Sequence, residues 1–329
     1  MLKLALFSKH PIFSANIFII LISSSLISFF LVPKFIKLGE YLHLYDYPGE
    51  RKIHERPLLR SGGIPLFISF LLPSIIFSNF LNLGQSVNYI FLTGSGLFFL
   101  IGLLDDFFNI SPYIKLFLQI LFTYLLFYLG IKIIGIDFSD TFFFNSKIIF
   151  PEYISILITT FWIVGITNSI NWIDGLDGLA SGITVIFSLG TLIIGIIKGN
   201  NDFIIFSSSL LGANLGFLKY NFNPAKILMG DSGSYFLGFT LSILSLQISK
   251  IEANYFINIQ TILLLGLPIL DMVSVIGNRF LNGRNPFYAD NSHLHHRLLK
   301  KVVNQKKAVI FLYLISISFT SLALFLILI

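Results

Sequence analysis

Long apolar segments alternate with short polar ones along the whole chain, and this pattern predicts the architecture. Ten segments reach or approach the ~20 apolar residues that a helix needs to span a bilayer. They cover residues 12–32, 63–82, 88–104, 113–131, 153–167, 179–197, 203–218, 233–249, 257–277 and 308–328. The sequence therefore predicts an all-α polytopic membrane protein with about ten transmembrane helices, as a single integral-membrane domain over residues 1–329. The fifth segment is the shortest, so its helix could extend into the polar stretch that follows.

Composition supports a membrane protein and excludes other classes. Of the 329 residues, 55% are hydrophobic and only 12% are charged, with a mean hydropathy of +0.85, which is too apolar for a soluble domain. The absence of cysteine excludes disulfides. The first apolar segment is long and has no small-residue cleavage site after it, so we expect a transmembrane helix and not a signal peptide.

Lysine and arginine are distributed unevenly between the loops. Of the 22 basic residues, 15 follow odd-numbered segments, six lie at the N-terminus or after even-numbered segments, and Lys115 lies near a helix start. Because basic loops stay in the cytoplasm, the odd-numbered segments should end there and both termini should lie outside. The net charge of +6 thus reports topology and does not indicate nucleic-acid binding.

Unusual polar motifs follow all five odd-numbered segments. Because these segments should end in the cytoplasm, the motifs predict one active site on the cytoplasmic face. They lie within residues 46–63, 104–109, 168–182, 220–234 and 278–297. The third reads NSINWIDGLDGLASG, in which Asn168, Asn171, Asp174 and Asp177 recur every three residues. On a helical turn this spacing places four oxygen-bearing side chains on one side. Such a cluster suggests a divalent cation, a polar ligand or both.

Two further motifs supply carboxylates, each with a structural alternative. Asp105 and Asp106 are adjacent at the end of the third segment, where they would serve as one base and one metal contact, or only as a polar helix end. Asp231 falls at the expected N-cap of the eighth helix. It would either cap that helix or bind Mg²⁺ beside helix N–H groups that face a phosphate.

Basic motifs make up the rest of the predicted site. Residues 51–56 include Lys52, and Arg60 directly precedes Ser61, Gly62 and Gly63; this run is either an anionic-lipid patch or an anion site. The last motif reads HLHHR over residues 293–297, which suits a diphosphate better than zinc, or is a solvated basic loop. Asp271, inside the ninth segment, is a supporting candidate only.

Together these motifs resemble the polyprenyl-phosphate N-acetylhexosamine-1-phosphate transferases, glycosyltransferase family 4. The matching stretches are RKIHERPLLRSGG at 51–63, LLDDFFN at 103–109, NSINWIDGLDGLASG at 168–182, NFNPAKILMGDSGS at 221–234 and NPFYADNSHLHHR at 285–297. The resemblance covers essentially the whole chain. Residues 57–63, and Leu294 between the histidines, resemble the N-acetylglucosamine-type branch more than the phospho-MurNAc-pentapeptide branch. Leu228 departs from a frequent family Phe, which makes nucleotide choice less secure than reaction type.

The resemblance implies transfer of a sugar-1-phosphate from a UDP-sugar, such as UDP-GlcNAc, to undecaprenyl phosphate with release of UMP. This would prime a lipid-linked envelope polysaccharide, such as O-antigen, at the bacterial inner membrane. Mg²⁺ is the implied cofactor, with Mn²⁺ as a substitute. The resemblance is also compatible with a homodimer. The implied roles are catalysis by Asp105, Asp106 and Asp174, metal binding by Asp231 and Asn171, and substrate binding by Lys52, Arg60, Asn168, Asp177, Asn221, His293, His295, His296 and Arg297. Asp105 would act as base or as nucleophile, and the sequence leaves both routes open.

Three alternatives remain at this stage. A nucleotide-sugar transporter would place its polar groups near the bilayer midplane in repeated halves, whereas here they lie at helix ends and the chain shows no repeat. A membrane scaffold has no use for carboxylates clustered in several loops. A transferase that uses another UDP-N-acetylhexosamine, such as a deoxy or diamino sugar, is the main alternative within the enzyme class.

Overall fold

The protein is described here by a computed structural model, which covers residues 11–49, 56–80, 85–138, 146–250, 254–283, 293–302 and 304–328. Helices make up 79% of the described residues, which confirms the all-α class. The described residues form twelve helices: α1 (Pro11–Tyr41), α2 (Gly63–Phe80), α3 (Gln85–Phe108), α4 (Pro112–Tyr128), α5 (Glu152–Ile173), α6 (Leu179–Lys198), α7 (Asn201–Asn221), α8 (Gly230–Leu246), α9 (Ile259–Leu264), α10 (Gly266–Leu281), α11 (Leu294–Val302) and α12 (Gln305–Leu328).

Seven of the described helices are long and apolar enough to cross a membrane, so the chain is a multi-pass membrane protein. These spans are Asn16–Tyr41, Gly63–Phe80, Asn88–Phe108, Glu152–Ile173, Leu179–Lys198, Asn201–Asn221 and Gln305–Leu328. The helices α4 and α8 coincide with the fourth and eighth predicted segments but have only 17 residues each. The fifth helix does extend into the polar stretch and ends at Ile173.

The ninth segment was predicted as one helix over residues 257–277, and this prediction is wrong. A break at Leu265, with φ −101° and ψ 20°, separates α9 from α10. The physical reason lies three residues later. Pro268 has no N–H to donate to the Leu264 carbonyl, and in a continuous helix its ring would clash with that carbonyl.

Helix α8 lies at the centre of the bundle, where it packs against α2, α3 and α5. All of its residues except Asp231 are buried or nearly so. A helix that is apolar on every side belongs inside a bundle and not at its surface. Small residues allow this close packing: a Cβ added to Gly238 would lie 2.5 Å from the Thr167 Cα of α5.

Short strands close both ends of the bundle. Strands β1 (Tyr45–Asp46) and β2 (Leu58–Leu59) pair antiparallel after α1. The Leu228 N–H then donates to the Leu59 carbonyl at 2.8 Å, which joins this segment to the one before α8. At the opposite end, β3 (Ile133–Asp137) lies between antiparallel β4 (Lys147–Ile149) and parallel β5 (Tyr255–Ile257).

Candidate active site

The structure brings the described residues of all five polar motifs together at one end of the bundle, where α3, α5 and α7 end and α4, α6 and α8 begin. We call this the motif end. Hydrogen bonds or van der Waals contacts connect each motif to another one. The connecting pairs are Arg60 with Asp231, Asp106 with Ser232, Asn171 with Asp231, Asp177 with Ala225, and Gly175 with His295. Residues more than 200 positions apart in sequence thus line one region.

Carboxylates and basic groups form a tight cluster at the motif end. Lys115 Nζ lies 3.1 Å from Asp105 Oδ2 and 3.1 Å from Asp231 Oδ2, so one ammonium bridges the two carboxylates. Arg60 Nη2 donates to Asp231 Oδ1 at 2.8 Å, and Arg60 Nε lies 3.1 Å from Asp106 Oδ1. These carboxylates belong to α3 and α8, so the cluster depends on how those helices pack.

The two adjacent aspartates have different environments. Asp106 accepts two backbone N–H groups at the start of α8, from Asp231 at 2.8 Å and from Ser232 at 3.0 Å. Asp105, in contrast, bonds only to side chains among the described residues. Helical geometry explains the divergence, because neighbouring positions on a helix point about 100° apart.

The prediction that Asp231 is the N-cap of the eighth helix is wrong. Met229 occupies that position, makes no side-chain capping bond, and is followed by Gly230 with φ +69°. Asp231 lies in the first turn instead, with its side chain turned into the cluster. Asp106 from α3 supplies the capping oxygens that the local sequence lacks.

Glycines allow the helices to approach closely at this point. A Cβ added to Gly102 on α3 would lie 2.1 Å from the Asp231 carbonyl oxygen, and one added to Gly63 on α2 would lie 2.2 Å from Ser232 Oγ. Contacts this short do not occur between real atoms, so neither position tolerates a side chain without movement of α8. The glycines of the Arg-Ser-Gly-Gly motif therefore serve helix packing here.

The two asparagines at the end of α5 differ in their partners. Asn171 Nδ2 donates to Asp231 Oδ1 at 3.2 Å and to Ser234 Oγ at 2.9 Å, which places Asn171 in the cluster. Asn168, predicted to bind substrate, donates to Gln119 Oε1 at 2.7 Å and thereby links α5 to α4.

The turn over residues 174–178 holds two more predicted site residues. Asp174 is partly exposed and lies close enough to the Asp231 and Arg60 side chains to feel their charges. Asp177 accepts from Asn223 Nδ2 at 2.9 Å and from the Ala225 N–H at 3.0 Å, so it fixes the loop before α8. Asn221 is buried and donates to the Ile227 carbonyl, which stabilises the same loop.

The histidine motif surrounds the start of α11. His293 Nδ1 lies 2.8 Å from Asp271 Oδ2, and the Leu294 N–H donates to Asp271 Oδ1 at 2.6 Å. His295 is 2% exposed and packs so closely on the turn that a Cβ at Gly175 would lie 2.5 Å from its Nε2. Asp271 is therefore a structural partner of the motif.

The last two members of the histidine motif are more accessible. The His296 ring lies 4.3 Å from that of His295, measured between centroids, and is partly exposed. Arg297 is exposed and donates to Ser274 Oγ at 2.7 Å. Among the described residues of this motif, Arg297 thus presents the most accessible positive charge.

Burial and neighbouring charges shift the pKa values of groups in the loops. Desolvation raises the pKa of Asp174 well above its ordinary value, and the Asp231 carboxylate adds to the effect. Burial opposes the charge of Arg60, but the Asp231 and Asp106 carboxylates outweigh it and raise the Arg60 pKa. Burial lowers the pKa of His295 to about 3, so this imidazole is neutral at neutral pH.

The donor set suits the divalent cation that the resemblance implies. No group of three or more His, Asp or Glu side chains forms a finished metal site in the described part of the chain. One ammonium nevertheless contacts the Asp105 and Asp231 carboxylates together, so a single cation can reach both. Three carboxylates, those of Asp105, Asp106 and Asp231, face only two basic side chains in the described cluster, those of Arg60 and Lys115, which leaves an excess of negative charge. The residues therefore fit Mg²⁺ or Mn²⁺.

Comparison with known proteins decides the family. The sequence profile described as glycosyl transferase family 4 matches residues 88–249, which contain three of the five motifs. A relative from Bacillus subtilis (strain 168), named probable undecaprenyl-phosphate N-acetylglucosaminyl 1-phosphate transferase, is 36% identical over 289 residues, 87% of this chain and 76% of the relative. The chain belongs to glycosyl transferase family 4. The resemblance predicted from the motifs is confirmed.

Other family 4 relatives bear on the branch. An undecaprenyl-phosphate alpha-N-acetylglucosaminyl 1-phosphate transferase from Thermotoga maritima is 31% identical over 300 residues, 91% of this chain and 88% of the relative. A phospho-N-acetylmuramoyl-pentapeptide-transferase from Prochlorococcus marinus (strain MIT 9312) is 36% identical over a shorter 264 residues, 74% of this chain and 71% of the relative. The relatives named for N-acetylglucosamine thus cover more of this family 4 chain.

Sequence reasoning missed Lys115, which belongs to the cluster, and Gln119, which is the partner of Asn168. Lys115 was treated only in the topology count, and Gln119 was not considered. An ionisable residue on an apolar helix is itself a functional signal, so Lys115 on α4 could have been found. Lys52, predicted to bind substrate, lies outside the described residues.

Proposed function

We propose that this family 4 transferase moves N-acetylglucosamine-1-phosphate from UDP-N-acetylglucosamine to undecaprenyl phosphate and releases UMP. The names of the Bacillus and Thermotoga relatives support the acceptor and the sugar. The observation that carries the reaction is the pair of carboxylates, Asp105 and Asp231, bridged by Lys115 at the end of an apolar bundle. There a lipid phosphate held in the bilayer and a soluble nucleotide-sugar can meet.

Both substrates are anionic, so the site must supply positive charge. The described cluster carries more carboxylates than basic groups, and a bound divalent cation reverses that balance. We assign Mg²⁺, or Mn²⁺ in its place, to Asp231 with Asn171. When bound, the cation neutralises the diphosphate and polarises its phosphoryl oxygens.

Asp105 is the proposed general base, because its carboxylate meets only side chains that can move aside. It takes the proton from the undecaprenyl phosphate, whose oxygen attacks the sugar-linked phosphorus of the UDP-sugar. The new phosphorus–oxygen bond forms as the bond to the UMP oxygen breaks. Arg60 and Lys115 hold positive charge beside the developing anion. The alternative route through an Asp105-phosphoryl intermediate predicts UMP exchange into UDP-sugar without lipid, and direct attack predicts none.

Binding of the nucleotide is assigned to the more accessible groups. Asp174 in the turn after α5 and Arg297 on α11 are at least partly exposed. His293 and His295 are buried against Asp271 and Gly175, so we assign them a supporting role. Asn168, Asp177 and Asn221 likewise stabilise the walls of the site.

The decisive experiment is UMP release by detergent-purified protein. The assay uses undecaprenyl phosphate, a panel of UDP-N-acetylhexosamines that includes deoxy and diamino sugars, and Mg²⁺ or EDTA. We expect release that requires the lipid and the metal and is fastest with UDP-N-acetylglucosamine. Preference for another donor would change the sugar assignment, and no release from folded protein with any donor would reject the transferase proposal.

We also propose that the motif end faces the cytoplasm of a bacterial inner membrane, with both termini outside. The support is the excess of basic residues in the loops at this end. The chain has no cysteine, so labelling of a single introduced cysteine shows on which side of the membrane that residue lies, without background from native thiols. A cysteine at Asn304 should be protected in whole cells from an impermeant maleimide, and one at Asn200 should be labelled; the reverse pattern would invert the topology.

A further inference from the structure

The start of α8 receives its capping oxygens from another helix. An α-helix leaves its first N–H groups without internal partners, and a side chain at the N-cap normally satisfies them. Here the N-cap residue is Met229, whose thioether is only a weak acceptor and makes no capping bond. Asp106, on the last turn of α3, instead accepts the Asp231 and Ser232 N–H groups, one on each carboxylate oxygen.

These bonds use most of the capacity of the Asp106 carboxylate. Oδ1 meets both the Asp231 N–H at 2.8 Å and Arg60 Nε at 3.1 Å, while Oδ2 meets the Ser232 N–H at 3.0 Å. A carboxylate has about four lone-pair sites, so three of them are used. The side chain is also only 6% exposed. Only about one site is left, so a substrate or metal ion that needs more than one would have to displace a backbone bond.

The capped turn carries a central side chain of the cluster. Asp231 is both the donor of one capped N–H and the residue that contacts Arg60, Lys115 and Asn171. Rotation of the first turn of α8 would move its carboxylate away from all three. Asp106 therefore determines where the Asp231 carboxylate lies.

Gly230 provides independent evidence for the same contact. Its φ of +69° is unfavourable for any residue with a side chain. A Cβ at this position would lie 2.6 Å from Asp106 Oδ2. The missing side chain at Gly230 thus lets the Asp106 carboxylate reach the start of α8. An alanine at position 230 would push that carboxylate away from the helix start, while Asp106 itself stays unchanged.

We propose that Asp106 is a positioning residue that caps α8 and orients Asp231, and that only Asp105 of the adjacent pair acts on the substrates. This inference rests on the proposed function for its second half, whereas the capping half stands on the contacts alone. The two halves can therefore be tested separately.

Hydrogen–deuterium exchange tests the capping half without any substrate. Asp106→Ala should speed exchange of the amides at residues 231 and 232 by about tenfold or more, because charge-assisted capping bonds are lost. Asp106→Asn keeps one accepting oxygen and should give a smaller increase, and Gly230→Ala should resemble Asp106→Ala. Asp105→Asn is the matched control and should leave these amides unchanged. If the amides at residues 231 and 232 exchanged in Asp106→Ala at the wild-type rate, the capping role would be overturned.

UMP release tests the second half. Asp106→Asn should lower kcat by about 10- to 100-fold through misplacement of Asp231, with an unchanged pH profile and a raised requirement for Mg²⁺. Asp105→Asn should lose activity further and lose the base limb of the pH profile. Equal loss in both variants, together with an altered pH profile for Asp106→Asn, would make Asp106 catalytic and overturn the inference. Wild-type protein without UMP release would instead reject the proposed function, while the exchange result would still decide the capping role.

Discussion

The starts of α8 and α11 use the same structural device in different electrostatic surroundings. At α8, Asp106 accepts two backbone N–H groups; at α11, Asp271 accepts the Leu294 N–H and bonds to His293. In both places an aspartate from one helix holds the beginning of another. The two aspartates lie 165 positions apart in sequence, so the likeness arises from packing and not from a repeated motif.

The residues around the start of α8 and the start of α11 differ, and so do the roles of the two regions. Around α8 lie Arg60, Lys115 and further carboxylates, whereas around α11 lie imidazole rings and the leucines of a small apolar cluster. The turn over residues 174–178 touches both, because Asp174 feels the charges at α8 and Gly175 packs on His295. Charge that can act on the reacting phosphates is concentrated at α8, whereas α11 supports the turn beside it and presents Arg297 to the nucleotide.

The sharpest test of this contrast removes the charge of Asp231. Asp231→Asn should lower kcat for UMP release by about 10²- to 10³-fold, because the variant loses the carboxylate assigned to the cation while it keeps the shape of the side chain. The matched control is Ser232→Ala, since Ser232 Oγ is buried and makes no hydrogen bond to any residue that the structure describes. Full activity of Asp231→Asn at low Mg²⁺ would contradict the metal assignment.

The next test removes the aspartate at the other helix start. Asp271→Ala should lower the free energy of unfolding by about 3 kcal/mol, because buried His293 and the Leu294 N–H lose their shared partner. Thermal unfolding in detergent measures this, with Ser274→Ala as the control on the same helix. A loss of activity without a loss of stability would show that α11 takes part in the chemistry after all.

Acid should weaken the α11 region through His295. Its pKa of about 3 in the folded protein lies below the ordinary value of about 6.5, because burial and His296 disfavour the charged ring. The unfolded chain therefore binds this proton more readily between those values, and stability is full above about pH 6.5. Below it, the free energy of unfolding should fall by roughly 1.4 kcal/mol per pH unit until near pH 3.

Unfolding of wild type and His295→Gln across this range checks the assignment. The variant should be less stable at pH 7, since Gln packs differently on Gly175, but its stability should depend less on pH. The same acid slope in both proteins would assign it to other groups.

The smallest expected effect concerns Asp174. Because its pKa is raised in the folded protein, the folded state holds this proton more tightly, and stability should fall as pH rises through the raised pKa. Asp174→Asn should remove that fall and be about 1 kcal/mol more stable than wild type at alkaline pH, while losing activity. Thermal unfolding followed upward from about pH 4, the ordinary pKa of an aspartate, measures this fall. Equal pH dependence in the two proteins would contradict the raised pKa.

Much of the fold could be predicted because lipid imposes a simple pattern. Apolar length predicted every long helix, and the motifs predicted the family and the grouping at one end. The prediction of one continuous helix over the ninth segment failed because hydropathy does not include the effect of Pro268 on the helix backbone. Lys115 was missed because its role depends on contact with Asp231 of α8, which lies 116 positions away in sequence.

The sequence by itself determined a multi-pass helical protein, its family and the set of residues at its motif end. Only the tertiary structure decided how those residues divide the work. Asp105 and Asp106 are chemically identical neighbours, yet one meets side chains and the other meets the backbone of α8. The reason is that the partner of each oxygen is fixed by packing across the bundle, where Gly102 on α3 brings that helix against Asp231, 129 positions away.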